Sequence, residues 1–137
     1  MASLIYNSAI DDMARGAIDF DTDSFKAMLV TSSYTPDKDT HDKRDDVTNE
    51  VSGTGYTAGG VTTACTVTKD TANDKVTLQF AEVSWASSTI TARALVIYKS
   101  TGTASTDNLV AYNDFGSDVS STAGTFSVAA STITLQN

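Results

Sequence analysis

Four of the chain's eight glycines lie between positions 53 and 60, and glycine-rich spacing is used by phosphate-binding loops. Gly53 to Ala58 fits the dinucleotide pattern G-x-G-x-x-A, and Gly55 to Gly60 has the glycine spacing of a P-loop. Both motifs need a buried strand before the glycines and a helix after them, because the helix N-terminus holds the phosphate. Here an acidic segment, residues 45–50, comes before the glycines, and the β-prone run 61–63 follows. The sequence therefore predicts turns between strands at this point.

Three aspartates with calcium-loop spacing form a second candidate site. Asp19, Asp21 and Asp23 match the first three ligand positions of an EF-hand loop. The sixth position requires glycine and is Ser24, and the twelfth requires glutamate and is Val30. Solvated aspartates near a strand start are the better interpretation, and we predict neither a metal ligand nor a cofactor.

The residues that could serve nucleophilic catalysis are few. His41 is the single histidine, so it would have to be the base, and it lies in the most charged segment of the chain. Cys65 is the single cysteine and alternates with Val61, Thr63 and Val67, which predicts a small buried side chain. No G-x-S-x-G motif presents a serine. We predict that the chain is not an enzyme. The neighbouring Asp37, Asp39 and Asp42 could gather around a cation, and the sequence leaves this alternative open.

Composition limits the possible partners. The 137 residues suffice for one domain, 1–137, and carry 17 acidic against 9 basic side chains, for a formal charge of −8. The basic residues form no run longer than Lys43-Arg44, so a nucleic-acid partner is disfavoured. No export signal or membrane-spanning stretch is recognisable. We expect a protein made in the cytoplasm, with neither nucleic acid nor membrane as partner.

Local patterns predict a mainly β fold. Residues 4–15, within an N-terminal segment 1–16, have the only helical periodicity, and Gly16 follows as a C-terminal cap. After Gly16, short runs rich in Thr, Val, Ala and Ile alternate with Asp, Asn and Gly. The runs 25–30 and 94–98 are mostly apolar and show little alternation, which predicts strands covered on both faces. We predict a β-sandwich or jelly-roll-like domain with one short N-terminal helix.

Further strands show alternation. Apolar residues occupy even positions at Val76, Leu78 and Phe80 and odd positions at Val83 and Trp85. This change of parity requires a bulge, bend or turn near residues 81–82. Later strands are expected at 109–112, 126–128 and 133–135.

A long polar segment, residues 33–60, separates two of the predicted strands. It is longer than the usual connection in a compact sandwich, and such loops are often functional. We interpret it as an extended arm that contacts a neighbouring subunit, with Tyr34 and Tyr56 as aromatic anchors. Most of the other aromatic residues coincide with predicted strands, although a sugar-binding or partner-binding surface remains an alternative for them.

Two stretches of the sequence resemble a known family. The stretch THDKRDDVTNEVSGTGYTAGG, Thr40 to Gly60, and the stretch TARALVIYKSTGTAST, Thr91 to Thr106, are similar to those of small virion structural proteins encoded by tailed bacteriophages and prophages. The resemblance implies a particle component located in the virion. We favour a capsid cement or decoration protein that binds the major capsid protein or other virion proteins across capsomers. A tail- or fibre-associated component is one alternative, and a carbohydrate- or receptor-binding module is another.

Two expectations follow for assembly. The chain is expected to form a homo-oligomer, specifically a trimer around a symmetry axis. A closed ring of subunits suits a repetitive protein shell, and an unpaired edge strand needs to be covered. The interface hypothesis assigns six residues of the polar segment to this contact or to the contact with the shell. They are Tyr34, His41, Arg44, Gly55, Tyr56 and Gly59.

Overall fold

The computed structural model describes residues 2–137, so that Met1 of the predicted N-terminal segment lies outside the described residues. The described chain is mainly β, with ten strands, one α-helix and one turn of 3-10 helix at Arg44–Asp46. In chain order the elements are β1 (Leu4–Ile5), α1 (Asn7–Ala14), β2 (Phe25–Val30), β3 (Val61–Thr63), β4 (Cys65–Asp70), β5 (Lys75–Phe80), β6 (Val83–Ser88), β7 (Thr91–Lys99), β8 (Leu109–Ser120), β9 (Gly124–Val128) and β10 (Ser131–Gln136).

The strands form three antiparallel sheets in a β-sandwich-like arrangement, as the sequence predicts. A five-stranded sheet has the order β1-β8-β7-β2-β3, a three-stranded sheet the order β10-β5-β4, and β6 pairs with β9. The chain passes from the first sheet to the second at Ala64, whose carbonyl accepts a 2.9 Å hydrogen bond from the N–H of Ala81. The larger hydrophobic core collects buried side chains from all three sheets.

The central strands of the five-stranded sheet are buried on both faces, which confirms the prediction from the scarcity of alternation in their sequences. In β2, Phe25, Ala27 and Leu29 point into the larger core, whereas Met28 and Val30 belong to a second cluster on the opposite face. β7 divides its side chains in the same way. The second face needs a cover of its own, because the other two sheets lie on the first.

The change of apolar parity marks a change of sheet, and the predicted bend is confirmed. β5 ends at Phe80 in the three-stranded sheet, and β6 begins at Val83 in the two-stranded one. Within β5, Leu78 and Phe80 are buried while Gln79 is exposed, so the predicted half-solvated strand is also confirmed.

The N-terminal helix is shorter than predicted. Leu4 and Ile5 form β1 by pairing with Tyr112 and Ala111 of β8, and the helix begins only at Asn7. The prediction of helix from residue 4 was therefore wrong at its first turn, because pairing with β8 decides the conformation there. Gly16 follows the helix with a φ of 76°, as expected for a residue just past a helix end.

Candidate functional site

Residues 33–60, here called the covering loop, lie against the second face of the five-stranded sheet. Tyr34 is buried in the cluster on that face, and Val47 packs at its border. Isolated β-bridges join Glu50 to Val30 of β2 and Lys43 to Asn108 beside β8. The polar segment is thus ordered by its own domain and supplies the cover that the second face requires.

A buried ion pair fixes the middle of the covering loop. Nε of Arg44 donates a 2.7 Å hydrogen bond to Oδ2 of Asp107, whose side chain is 2% exposed. Oδ1 of Asp107 accepts hydrogen bonds of 2.7 Å from the N–H and 2.8 Å from the hydroxyl of Thr101. Burial alone would raise the pKa of Asp107, but the Thr101 N–H and the Arg44 guanidinium outweigh it, and the pKa is lowered.

An aromatic ring extends this ion pair toward the glycine-rich turn. The guanidinium carbon of Arg44 lies 5.2 Å from the centre of the Tyr98 ring, which is a cation–π geometry. The Tyr98 hydroxyl donates a 2.5 Å hydrogen bond to the carbonyl of Gly59. Burial raises the pKa of Tyr98 to about 12, although Arg44 opposes this shift, so the hydroxyl stays protonated and can donate at neutral pH.

Glu50 and Tyr56 hold the glycine-rich turn from its other side. Oε1 of Glu50 accepts a 2.6 Å hydrogen bond from the N–H of Gly59 and a 2.7 Å bond from the Tyr56 hydroxyl. That hydroxyl accepts a 2.9 Å hydrogen bond from the N–H of Leu29 in β2, and the Tyr56 ring lies 5.7 Å from that of Trp85. Burial, followed by the hydrogen bond to Glu50, raises the pKa of Tyr56.

The glycines permit close backbone contacts with the domain. At Gly60, φ is 77°, and a Cβ would lie 1.8 Å from the carbonyl oxygen of Ala27. At Gly55, φ is 82°, and a Cβ would lie 2.8 Å from Cα of Ser88 in β6. Neither position has room for a side chain, so the covering loop lies directly against β2 and β6. The predicted turns are present, because the N–H of Tyr56 donates to the carbonyl of Gly53 and the N–H of Gly60 donates to the carbonyl of Thr57.

Tyr34 and His41 form a separate cluster at the start of the covering loop. Their rings stack with centres 5.7 Å apart, and the Tyr34 hydroxyl lies 3.0 Å from Nδ1 of His41. The N–H of Asp37 donates to the same nitrogen at 3.2 Å, which places the ring proton of a neutral His41 on Nε2. The Tyr34 hydroxyl also lies 2.9 Å from that of Tyr6, so this cluster ties the loop to the N-terminal segment.

The acidic residues considered as cation ligands close local turns. Oδ1 of Asp19 accepts from the N–H of Asp21 at 3.0 Å, and Oδ2 of Asp23 accepts from the N–H of Asp19 at 2.8 Å. Asp37 similarly accepts from the N–H of Asp39 at 2.9 Å, which lowers the pKa of Asp37. Across residues 2–137 we find no group of three or more His, Cys, Asp or Glu side chains placed to hold a metal ion.

Cys65 is half-buried in β4, at the border of the larger core. Burial raises the pKa of its thiol to about 11, with a smaller contribution from the nearby Asp21. The thiol is therefore protonated at neutral pH, which makes it a weak nucleophile.

The six residues assigned to an interface fall into three places. Arg44, Gly59 and Tyr56 are joined through Tyr98 and Glu50, whereas Tyr34 and His41 form their own cluster, and Gly55 lies apart against β6. The sequence interpretation did not identify Glu50 and Asp107 as partners. Both lie beside the glycine- and threonine-rich turns, where a carboxylate that accepts backbone N–H groups is common.

Comparisons of the chain with protein-family models, with curated proteins and with solved structures returned no match. Among residues 2–137, no helix has the length and apolar character needed to cross a membrane.

Proposed function

We propose that the chain is a structural protein of a tailed-phage virion and that it binds the capsid as a cement or decoration protein. The observation that carries the proposal is a contact between the two segments on which the resemblance depends. Arg44 and Gly59, from the segment Thr40–Gly60, both contact Tyr98 of the segment Thr91–Thr106. Segments that are distant in sequence therefore form one structural unit, as expected if the resemblance reflects a shared fold and a shared surface.

The outer surface of the covering loop supports a docking role. The buried contacts described above hold the loop in place, so a partner would meet an ordered surface and little conformational entropy would be lost on binding. The exposed residues of the loop carry charges of both signs and hydroxyl groups that can hydrogen-bond to a partner. They include Lys38, Asp39, Asp42, Asp45 and Thr48.

Self-assembly is part of the proposal. The outer edge of β4 is open, since this strand pairs only with β5, and Val67 on this strand is 37% exposed. Open edges can pair with another strand, and in β4 the one lysine, Lys69, stands near the end of the strand and leaves residues 65–68 without such protection. We propose a homo-oligomer, with a trimer as the expected state, and light scattering of the purified chain tests it directly.

Co-sedimentation with capsid shells tests the cement role. The purified chain is mixed with heads of the phage or prophage that encodes it, prepared without the chain, and in parallel with isolated tails. The proposal predicts saturable binding to heads and slower disruption of the loaded heads on heating. Binding to tails alone would instead support the tail-associated alternative, and binding to neither would contradict a virion role.

A further inference from the structure

A groove runs between the five-stranded sheet and the three-stranded sheet, on the side opposite Ala64, and we call it the edge groove. Its volume is about 610 Å³. Leu4 and Ile5 of β1 line one side and residues 131–134 of β10 the other, with Ile97 and Ala111 also in the lining. Where β3 and β4 join the sheets on one side of the sandwich, the edge groove separates them on the other.

Both walls of the edge groove are open strand edges. β1 is the last strand of the five-stranded sheet, and β10 is the last strand of the three-stranded sheet. The outer edge of a terminal strand presents unpaired backbone N–H and C=O groups, which bind an added strand through main-chain hydrogen bonds. Natural edges are commonly protected by lysine or proline, and residues 131–136 contain neither.

An apolar cavity continues the edge groove toward α1. It has a volume of about 130 Å³ and shares Ile5 and Ile133 with the groove. Ile5, Ile10 and Leu135 line it and are 37%, 54% and 37% exposed, and they are three of the five large hydrophobic side chains exposed among the described residues. Such a concentration of exposed apolar side chains is typical of a binding surface.

The absence of charged residues from the lining limits what can bind. No residue that lines the edge groove or its apolar continuation is charged, although the whole chain has a formal charge of −8. An occupant with charged side chains would lose hydration there without gaining an ion pair. The complementary occupant is an uncharged segment with apolar side chains.

A strand without a sheet of its own fits the edge groove better than a second copy does. β10 of a second copy would bring β5 along its other edge, and this neighbouring strand would have to occupy the space beside β1. A single extended segment has both edges free and introduces no further strand. The geometry therefore favours an extended tail or loop of a partner protein over pairing between two β10 strands.

We propose that the edge groove binds one extended, uncharged segment of a partner protein, which adds to β10 as a strand and places alternate apolar side chains against Ile5, Ile10 and Leu135. This inference does not depend on the virion role. The edge groove lies between β1 and β10, on the side of the sandwich opposite Ala64. Its lining contains none of the six residues assigned to the covering-loop interface.

A short peptide serves as the probe. Ser-Thr-Ile-Thr-Leu-Gln-Asn, which has the sequence of residues 131–137, is uncharged when capped at both ends and has apolar side chains at alternate positions. Fluorescence anisotropy of the labelled peptide with the full chain should show saturable binding. Ile10→Asp should weaken binding about tenfold or more, a loss of about 1.4 kcal/mol. Val119→Asp, at a 41% exposed position outside the groove, should leave it unchanged.

Hydrogen exchange locates the peptide. Bound peptide should slow amide exchange within residues 131–136, where the outward N–H groups become paired. The proposal is overturned if no saturable binding occurs, if Val119→Asp weakens binding as much as Ile10→Asp does, or if a peptide with aspartate in place of its Ile and Leu binds equally well. Self-association that the peptide inhibits and that Ile10→Asp abolishes would identify a second copy as the occupant and would equally overturn it.

Discussion

The guanidinium of Arg44 donates a 2.7 Å hydrogen bond from Nε to Oδ2 of Asp107, and 63 positions of sequence separate the two residues. Arg44 lies in the covering loop, and Asp107 lies in the connection between β7 and β8. One ion pair thus joins the covering loop to the connection between β7 and β8. Because Asp107 is almost fully buried, this contact differs from the exposed ion pairs of the chain.

Removing the charge of Asp107 should destabilise the domain. Asp107→Asn leaves the half-buried guanidinium of Arg44 without a counter-charge, and we expect a loss of about 2–3 kcal/mol in the free energy of unfolding. Urea denaturation measures this loss. Asp11→Asn is the matched control, because it breaks an ion pair with Arg15 in which both side chains are exposed, and it should change stability very little. Equal effects of the two substitutions would contradict the structural role of Asp107.

Acid should weaken the same contact. The pKa of Asp107 is lowered below its ordinary value of 3.8, so its contribution to stability is complete above about pH 4–5 and is lost as the pH falls through the native pKa. Wild-type stability in urea should therefore fall more steeply between about pH 5 and pH 3 than that of Asp107→Asn. Parallel curves for the two proteins would show that Asp107 has no lowered pKa.

Gly60 should tolerate no side chain. In Gly60→Ala the new Cβ would meet the backbone of Ala27 at 1.8 Å, so β2 or the turn must move, and we expect a loss of stability above about 3 kcal/mol or failure to fold. Gly102→Ala is the control. Gly102 also has a positive φ, 95°, but has open space around it, so only backbone strain of about 1–2 kcal/mol is expected. Circular dichroism and thermal unfolding compare the two, and similar losses would contradict the close approach at Gly60.

Tyr56 tests whether the covering loop is fixed from within. Tyr56→Phe keeps the ring on Trp85 but removes the hydroxyl that links Glu50 to Leu29, and it should cost about 1–2 kcal/mol. Tyr56→Ala removes both and should cost about 3 kcal/mol. Urea denaturation of the isolated chain measures both. If Tyr56→Ala leaves that stability unchanged and weakens only association, Tyr56 is the interface anchor predicted from the sequence.

Much of the fold could be predicted from side-chain periodicity. The lack of alternation between apolar and polar residues predicted the two-sided burial of β2 and β7, and the change of apolar residues from even to odd positions predicted the bend between Phe80 and Val83. The length of β8 could not be predicted in this way. Its second half, from Asn113 to Ser120, pairs with the start of β7 but carries mostly polar, exposed side chains. Backbone pairing without an apolar face leaves no periodic signal in the sequence.

The contacts of the candidate site were less predictable than its turns. The glycines of the covering loop indicated tight turns, and the structure uses Gly55 and Gly60 in this way. The partners of Arg44 and Tyr56 could not be identified, because Asp107 is remote in sequence and the acidic residues near Arg44 are more obvious candidates. The edge groove could not be predicted from the sequence either, since it depends on how β1 and β10 are placed in space.

The number of copies of the chain in purified virions tests the proposed function most directly. The proposed function implies that a phage or prophage encodes the chain, and quantitative mass spectrometry of its particles would give the ratio of this chain to the major capsid protein. A cement or decoration protein should be present in hundreds of copies per particle, in fixed proportion to the shell, and should remain with heads after the tails are removed. A few to tens of copies that leave with the tails would contradict the cement role, and absence from the particles would contradict the virion role altogether.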